Sequence, residues 1–275
     1  GEAVELWQRS LQDSVGRWMN GELLNCMAMA MDEVYHADRS NVCRSSDDYF
    51  PDRDASHAHH LLLNIYNSLW LGEFEWADWD MFHSDHPWGR YHALARVISG
   101  GPVYVSDRPG DTDFALLKQM VAADGQLLRC NRPARPTREM LFRDALADGV
   151  ALRAFNDSGA AGILGLFHPG LDQGKARLCE RVTATEIEGL EADARYVAFS
   201  TEEGFLGVVR GDQAIETTLQ SRGAVLLFFV PLESAVAAVG LVDKLNPPAA
   251  VLGTGFERGS DRTLWRAHLR GGGRF

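Results

Sequence analysis

The sequence predicts an α/β domain followed by an all-β domain, specifically the C-terminal half of a (β/α)8 barrel and then an antiparallel β-sandwich. Three observations carry this expectation. Apolar strand-like runs alternate with amphipathic helical stretches over the first half of the chain, which is the pattern of a parallel sheet covered by helices. The alternation spans four units, whereas a closed barrel needs eight and typically ~250 residues. Past Pro133 and Pro136 the helical periodicity gives way to short β-like runs with Gly, Asp and Ser turns, which indicates an antiparallel sandwich. The expected boundaries are 1–128 for the half barrel, 129–149 for a linker and 150–275 for the sandwich.

Taken in order, Val4, Trp7, Leu11, Val15 and Trp18 recur every three or four residues, one face of an amphipathic helix, so both tryptophans are expected in the core. "ELLNCMAMA" (22–30) reads as a buried strand and "NVCRSS" (41–46) as the next. Leu61, Leu62, Ile65 and Leu69 of "HAHHLLLNIYNSLW" fall on one helical face, and a strand is expected in or beside "SLWLGEF" (68–74). "PWGRYHALARVISGG" (87–101) has Pro87 placed for a first helical turn and Gly100 and Gly101 for its stop, delivering the chain into a strand, "PVYVSD" (102–107). "DTDFALLKQMVAADG" (111–125) completes the alternation as a helix with acidic residues at its start and a glycine at its end. Beyond Val150, "ALRAFN", "GILGLFH", "YVAFS", "GFLGVVRG", "AIETTL" and "AVLLFFVPL" read as strands, and "RGGGRF" as a frayed tail.

The net charge of −11 and the lack of any Lys/Arg run exclude a nucleic-acid partner, which needs a basic face. No apolar run reaches membrane-spanning length. The four cysteines, Cys26, Cys43, Cys130 and Cys179, are widely spaced, which favours reduced thiols and a cytoplasmic setting over a disulfide frame or zinc knuckle. His57 with His59, and His83 with His86, have ligand-like spacing, but i and i+2 leave a helix on different faces, so no metal or other cofactor is expected. "SGGP" (99–102) precedes a strand where a phosphate loop would open a helix, and reads as a turn.

In a βα barrel the functional groups stand where strands end and loops begin. Asp47, Asp80 and Asp107 all occupy that place, so three successive units would aim a carboxylate at one mouth. For any one of them a helix cap or Asx turn explains the residue equally well. Carboxylates accept bonds from vicinal hydroxyls, and ring faces such as Tyr49, Phe50, Trp76, Trp79 and Trp88 would cover the apolar side of a pyranose. The cluster suits an oligosaccharide.

"RSSDDYFP" (44–51), the forty residues from Leu71 to Gly110, "DGQLLRCNRPARPTREMLF" (124–142) and "DGVALRAFN" (148–156) together resemble the raffinose synthase and seed imbibition proteins, a branch of the α-galactosidase clan. The resemblance implies a retaining α-galactosidase or galactosyltransferase on a (β/α)8 barrel with a C-terminal β-sandwich. In that chemistry one carboxylate attacks the anomeric carbon, while a second protonates the leaving oxygen and then activates the incoming hydroxyl. By the same resemblance the acid/base is Asp47, or Asp48 if the turn is read one residue on. Arg44, Asp80, Met81, Cys26 and Trp79 are expected to contact substrate.

The sequence departs from the family at the nucleophile, an aspartate within a Lys-x-Asp stretch on the fourth barrel strand. No Lys-x-Asp occurs in the chain, and Asp13 and Asp32 lie in contexts that do not replace it. The expectation is a fragment carrying the acid/base, nearly inactive alone, whose partner is the N-terminal barrel half of the same gene product. A non-catalytic carbohydrate-binding protein is the reading from another class.

Overall fold

The computed structural model describes residues 1–170, 176–258 and 263–274. Its first part is α/β. Helix α1 (Glu2–Trp18) leads through the short α2 (Met31–Val34) to strand β1 (Val42–Arg44), helix α3 (Asp54–Leu71), strand β2 (Trp76–Asp78) and helix α4 (Gly89–Ser99). Strands β1 and β2 pair in parallel, Val42 opposite Trp76 and Arg44 opposite Asp78. Single parallel bridges extend the succession on both sides, Asn25 to Cys43 and Phe82 to Val105. Four chain segments therefore run in parallel, with α3 and α4 as the long crossovers.

The expected strands at 22–30 and 102–107 are reduced to those single bridges, held by the Asn25 N–H to the Val42 carbonyl, the Arg44 N–H to the Asn25 carbonyl and the Ser106 N–H to the Phe82 carbonyl. The strand expected in "SLWLGEF" is helix to Leu71, and the chain becomes extended only at Trp76. Helix α4 ends where expected, on Gly100 at φ 73°, a left-handed conformation in which a Cβ would also collide with the Arg132 carbonyl. The helix expected over 111–125 is only α5 (Phe114–Leu117), capped by Asp113, whose carboxylate accepts from the Leu116 N–H at 3.0 Å. Gly125 closes a tight turn there instead, its N–H bonded to the Ala122 carbonyl.

The second part is β-rich. Strands β3 (Arg135–Pro136), β4 (Leu152–Ser158), β5 (Ala161–Phe167), β7 (Arg195–Ser200), β8 (Gly204–Arg210) and β10 (Ala224–Pro231) form an antiparallel six-stranded sheet in the order β3-β4-β5-β10-β7-β8. β6 (Arg177–Val182) pairs with β9 (Ile215–Gln220), and β11 (Val251–Arg258) with β12 (Thr263–Leu269). The segment expected as a linker is thus not a free connection, since β3 lies at the sheet edge against β4.

The centre of the large sheet is buried on both faces, which explains the unbroken apolar run of β10. Side chains alternate across a strand. Leu226 and Phe228 enter a core shared with Leu94 and Ile98 of α4, while Val225, Leu227 and Phe229 pack with Leu178, Val182 and Leu219 of β6 and β9. Asn156 fastens α4 to the sheet, its amide donating to the carbonyls of Ile98 at 2.6 Å and Arg132 at 2.7 Å.

Two further expectations change. Trp7 and Trp18 are 55% and 76% exposed, and α1 buries Gln8, Gln12 and Val15 instead. The helix packs through polar bonds as well, Gln12 donating to the His36 carbonyl and accepting from the Arg39 N–H, and of its apolar face Val15 is covered while Trp7 and Trp18 are not. The C-terminal segment is tied down, the Val242 N–H donating to the Arg274 carbonyl at 2.7 Å. Phe275 of the expected frayed tail lies outside the described residues. Among the described residues no helix is long and apolar enough to cross a membrane.

Candidate active site

At the C-terminal ends of the parallel segments the chain gathers Cys26, Arg44, Asp48 and Asp80. Arg44 is the hub. It closes β1, is buried, and its guanidinium donates to Asp80 Oδ2 at 2.5 Å and to Cys26 Sγ at 2.7 Å. Its Nη1 also stands 3.2 Å from Asp48 Oδ1. Burial works against the Arg44 charge, but Cys26, Asp80 and Asp48 outweigh it and raise its pKa above the usual arginine value.

Asp80 is 1% exposed. Its Oδ2 also accepts from the Tyr49 N–H at 2.8 Å, and its Oδ1 from the Met81 N–H at 2.8 Å. Those bonds need a backbone that turns back on itself, and Asp80 has φ 66°, a left-handed geometry that Asp tolerates better than most residues. The carboxylate expected to grip substrate is thus engaged by the protein, holding Arg44 and the 45–51 turn. Met81 is half-buried against the core, and its carbonyl accepts from Arg96 Nη2 at 3.0 Å.

Trp79 is a correction. Its ring is fully buried and its indole N–H donates to Ser68 Oγ on α3 at 2.9 Å. Asp78 and Asp80 share one face of the extended chain and the residue between them must leave on the other, so Trp79 packs into the core. Asp107 does not join the cluster either. Its carboxylate accepts from the Ser84 N–H and hydroxyl, both at 2.6 Å, a bond between distant segments that is neither a helix cap nor an Asx turn.

The adjacent pair in "RSSDD" separates. Asp48 is half-exposed and faces Arg44. Asp47 turns toward helix α3, where its Oδ1 stands 3.4 Å from His60 Nδ1. The His60 contact lowers the Asp47 carboxyl below its ordinary value, against a smaller rise from burial. A general acid near neutrality needs the opposite shift.

Sequence reasoning missed the layer beneath. Asp78 is fully buried, accepting from the Tyr104 hydroxyl at 2.8 Å and the Asp80 N–H at 3.0 Å, and burial raises its pKa. Arg96 of α4 is 1% exposed and donates to the Asp80 and Met81 carbonyls. The period-2 pairing of Asp78 with Asp80 was available as a signal. Arg96 sat inside an apolar helical face and gave none. Among the described residues no group of three or more His, Cys, Asp or Glu side chains could hold a metal ion, and the four cysteines are unpaired.

A family profile described as "Raffinose synthase or seed imbibition protein Sip1" matches residues 2–275. Among curated proteins, the chain is 32% identical over 293 residues to the probable galactinol–sucrose galactosyltransferase 1 of Arabidopsis thaliana, covering 97% of this chain and 39% of that protein. It is 35% identical to the galactinol–sucrose galactosyltransferase of Pisum sativum, covering 78% of this chain and 30% of that one. The chain therefore spans about two fifths or less of the length of these relatives. Among solved structures, a GH27 β-L-arabinopyranosidase from Geobacillus stearothermophilus is similar with TM-score 0.54 at 16% identity, over 75% of this chain and 48% of that one. A putative α-galactosidase from Bacteroides fragilis gives TM-score 0.51 at 13% identity, over 74% and 46%. These two similarities concern the fold alone.

Proposed function

The chain belongs to the raffinose synthase and seed imbibition protein family, and from that premise we propose that it is the acid/base-bearing part of a retaining enzyme acting on α-galactosides. The observation that carries the reading is the Arg44 hub, which gathers a half-exposed carboxylate, a buried carboxylate and a thiol at the C-terminal ends of the parallel segments. Active sites on βα barrels are built at that end.

Within the pair expected to contain the acid/base, the geometry supports Asp48. The two are similarly exposed, but Asp48 shares Arg44 with Asp80, whereas Asp47 is directed at His60. In this role Asp48 protonates the glycosidic oxygen as the bond to the anomeric carbon breaks. It then takes the proton of the hydroxyl that attacks the glycosyl-enzyme. Arg44 orients Asp48, and Asp80 with Cys26 orients Arg44. The relatives' names favour a sugar hydroxyl as acceptor, hence galactosyl transfer; water in the same place gives hydrolysis.

The nucleophile, by this proposal, comes from an upstream segment that completes the barrel, ~5–5.5 Å across the bond from Asp48. The exposed apolar residues of α1, Leu6, Trp7 and Trp18, with Met19 just beyond it, all more than half exposed, support a partner surface at this edge. The parallel segments are the later half of that barrel, and the antiparallel sheet with β6 and β9 is the sandwich.

The test compares this chain with the full-length protein on p-nitrophenyl α-galactoside and on galactosyl donor plus sucrose. The full-length protein should turn over at least one of them, Asp48→Asn should abolish turnover, and the short chain should bind without reacting. Turnover by the short chain, or an Asp48→Asn variant with unchanged kcat, overturns the assignment.

A further inference from the structure

Among the described residues only Arg44 pairs with the Asp48 carboxylate, so the place of that half-exposed group is decided by its backbone. The backbone is fixed on both sides. Before it, Ser45 donates its N–H to the Asp78 carbonyl at 3.0 Å and its hydroxyl to Asn64 Oδ1 at 2.5 Å, and its carbonyl accepts from Asn67 Nδ2 at 2.6 Å. After it, the Tyr49 N–H donates to Asp80 Oδ2 at 2.8 Å, the same oxygen that accepts from Arg44 Nη1. The ion partner of Asp48 and its neighbour in the chain are thus both tied to one buried atom.

The Tyr49 ring, expected from the sequence to face a sugar, is 8% exposed and lies instead in a socket of histidines. It meets four imidazoles edge to face: His57 and His60 of α3 with centroids at 5.6 and 6.2 Å, His92 of α4 at 5.1 Å, and His83 of the loop after β2 at 5.6 Å. Aromatic rings favour this arrangement over face-to-face stacking. Two of the walls are themselves fixed. Arginine can only donate, so Arg96 Nη1, at 2.7 Å from His92 Nδ1, leaves the His92 proton on Nε2, where it is donated to His57 Nδ1 at 2.8 Å. His57 then donates from Nε2 to the Pro51 carbonyl at 3.2 Å. Arg96 also donates to the Asp80 carbonyl at 3.1 Å. One arginine therefore braces both the socket and the residue that holds Arg44 and the Tyr49 N–H.

We propose that Tyr49 is a positioning residue for the acid/base: its ring, seated in the histidine socket, keeps its N–H on Asp80 and so holds Asp48 beside Arg44, where it protonates the glycosidic oxygen. The inference rests on Asp48 as the acid/base. The phenol hydroxyl has no share in this role, since its bond from the His83 N–H is long at 3.5 Å, past the range of a well-formed N–H to O bond. The ring acts by filling the socket and presenting its edges and faces to the imidazoles. A small side chain at 49 leaves the socket empty, so the chain after Asp48 is no longer seated and the carboxylate loses its fixed place.

The test has two arms. In the full-length protein, Tyr49→Ala should lower kcat/KM for methyl α-galactoside roughly ten- to a hundredfold, the scale of a misplaced catalytic group. The same variant should leave dinitrophenyl α-galactoside nearly unchanged, because a weakly basic phenolate departs without a proton from a general acid. Tyr49→Phe should restore the methyl galactoside. Equal losses on both substrates would make the ring a fold element or a sugar contact, and overturn the proposal. Where Tyr49→Ala does not fold, Tyr49→Leu, which keeps an apolar side chain in the socket without ring edges, should show the same preference at smaller size, and an equal loss overturns it in the same way. In this chain, amide hydrogen exchange reads the anchoring without any chemistry. The residue 49 N–H should be protected in the wild type and in Tyr49→Phe and should exchange roughly tenfold faster in Tyr49→Ala or Tyr49→Leu, whereas unchanged protection overturns the role of the ring. If Asp48→Asn leaves methyl α-galactoside turnover intact, the acid/base reading fails by itself, while hydrogen exchange still decides whether the ring anchors the turn.

Discussion

The two halves of the chain bury their sheets by opposite means. The six-stranded sheet is covered at its centre on both faces by apolar side chains, and Leu226 to Phe229 are 0–1% exposed. The parallel segments enclose Arg44, His57, His60, Asp78, Asp80, His92 and Arg96, all buried, and leave Trp7 and Trp18 of α1 in solvent. Buried polar groups contribute to stability only when their hydrogen bonds are complete. The β-rich part is thus built to be stable, whereas the α/β part places its order in a polar network that holds one surface carboxylate in position.

The sharpest way to break this contrast is to change one residue in each half. Asp48→Asn in the full-length protein should lower kcat by ~10²–10⁴-fold, the usual worth of a general acid/base, while the half-exposed site leaves stability within ~0.5 kcal/mol. Phe228→Ala removes a fully buried ring from the sheet's core and should cost about 3–5 kcal/mol. It touches none of the Arg44 cluster, so kcat of the folded fraction should hold. Steady-state kinetics beside urea unfolding of both variants reads the two effects separately. If Asp48→Asn unfolds the protein, the division of labour is wrong.

Arg44→Leu probes the network itself. It leaves Asp80 as a buried carboxylate without its cation, and breaking a buried pair from one side typically costs about 3–5 kcal/mol. The Arg44, Asp80→Leu, Asn double variant should recover part of that loss without recovering activity. Stability that returns in full together with activity would mean that Arg44 serves the fold and nothing else.

How much of this was legible in the sequence follows the same division. Strands β4, β5, β7, β8, β9 and β10 could be read because each carries its own apolar pattern and turn residues, and local pattern and tertiary role agree there. The parallel strands beside β1 and β2 shrank to single bridges, Asn25 to Cys43 and Phe82 to Val105, and an apolar run by itself does not show how many of its residues will pair. Arg44 and the Asp47–Asp48 pair were visible from their place after β1. The choice within the pair was not, since it depends on His60 reaching the turn from α3, a contact between residues thirteen positions apart on two elements. Trp79 was misread as a sugar-facing ring because aromatic type was weighed without the alternation that fixes its direction.

Acid titration sharpens the contrast further, since two buried groups of the α/β part have opposite shifts. Burial lowers the His57 ring from 6.5 to about 4. Its contribution is therefore present above pH 6.5 and lost as pH falls toward 4, on the order of 3 kcal/mol in all. Burial raises the Glu75 carboxyl from 4.5 to about 7, opposed by a bond from Asn25. That contribution is present below pH 4.5 and lost as pH rises through 7, with a similar magnitude. The two offset one another between pH 4.5 and 6.5, so Glu75→Gln should uncover the histidine slope. The variant should be more stable than wild type at pH 8 and should lose stability steadily below pH 6.5 in unfolding series. A Glu75→Gln curve parallel to wild type across that range would mean that neither group titrates as its burial implies.

The smallest expected effect concerns α1. Trp18 is 76% exposed, and an exposed ring contributes little to a fold that does not cover it, so Trp18→Ser in this chain should change unfolding free energy by less than ~0.5 kcal/mol. Association should respond instead. Exposed apolar surface drives proteins together, and Leu6, Trp7 and Trp18 are exposed on α1 with Met19 just beyond its end. Trp7→Ser with Trp18→Ser should therefore shift the short chain toward monomer in sedimentation velocity while leaving its melting midpoint in place. In the full-length protein a stability loss appears: if an upstream barrel half packs on these residues, the same double variant removes two buried rings and should lower stability by several kcal/mol, at about 3–5 kcal/mol for each fully buried aromatic. Equal and negligible effects in both proteins would leave these residues uncovered in the whole molecule, and the barrel would then have to close along another edge.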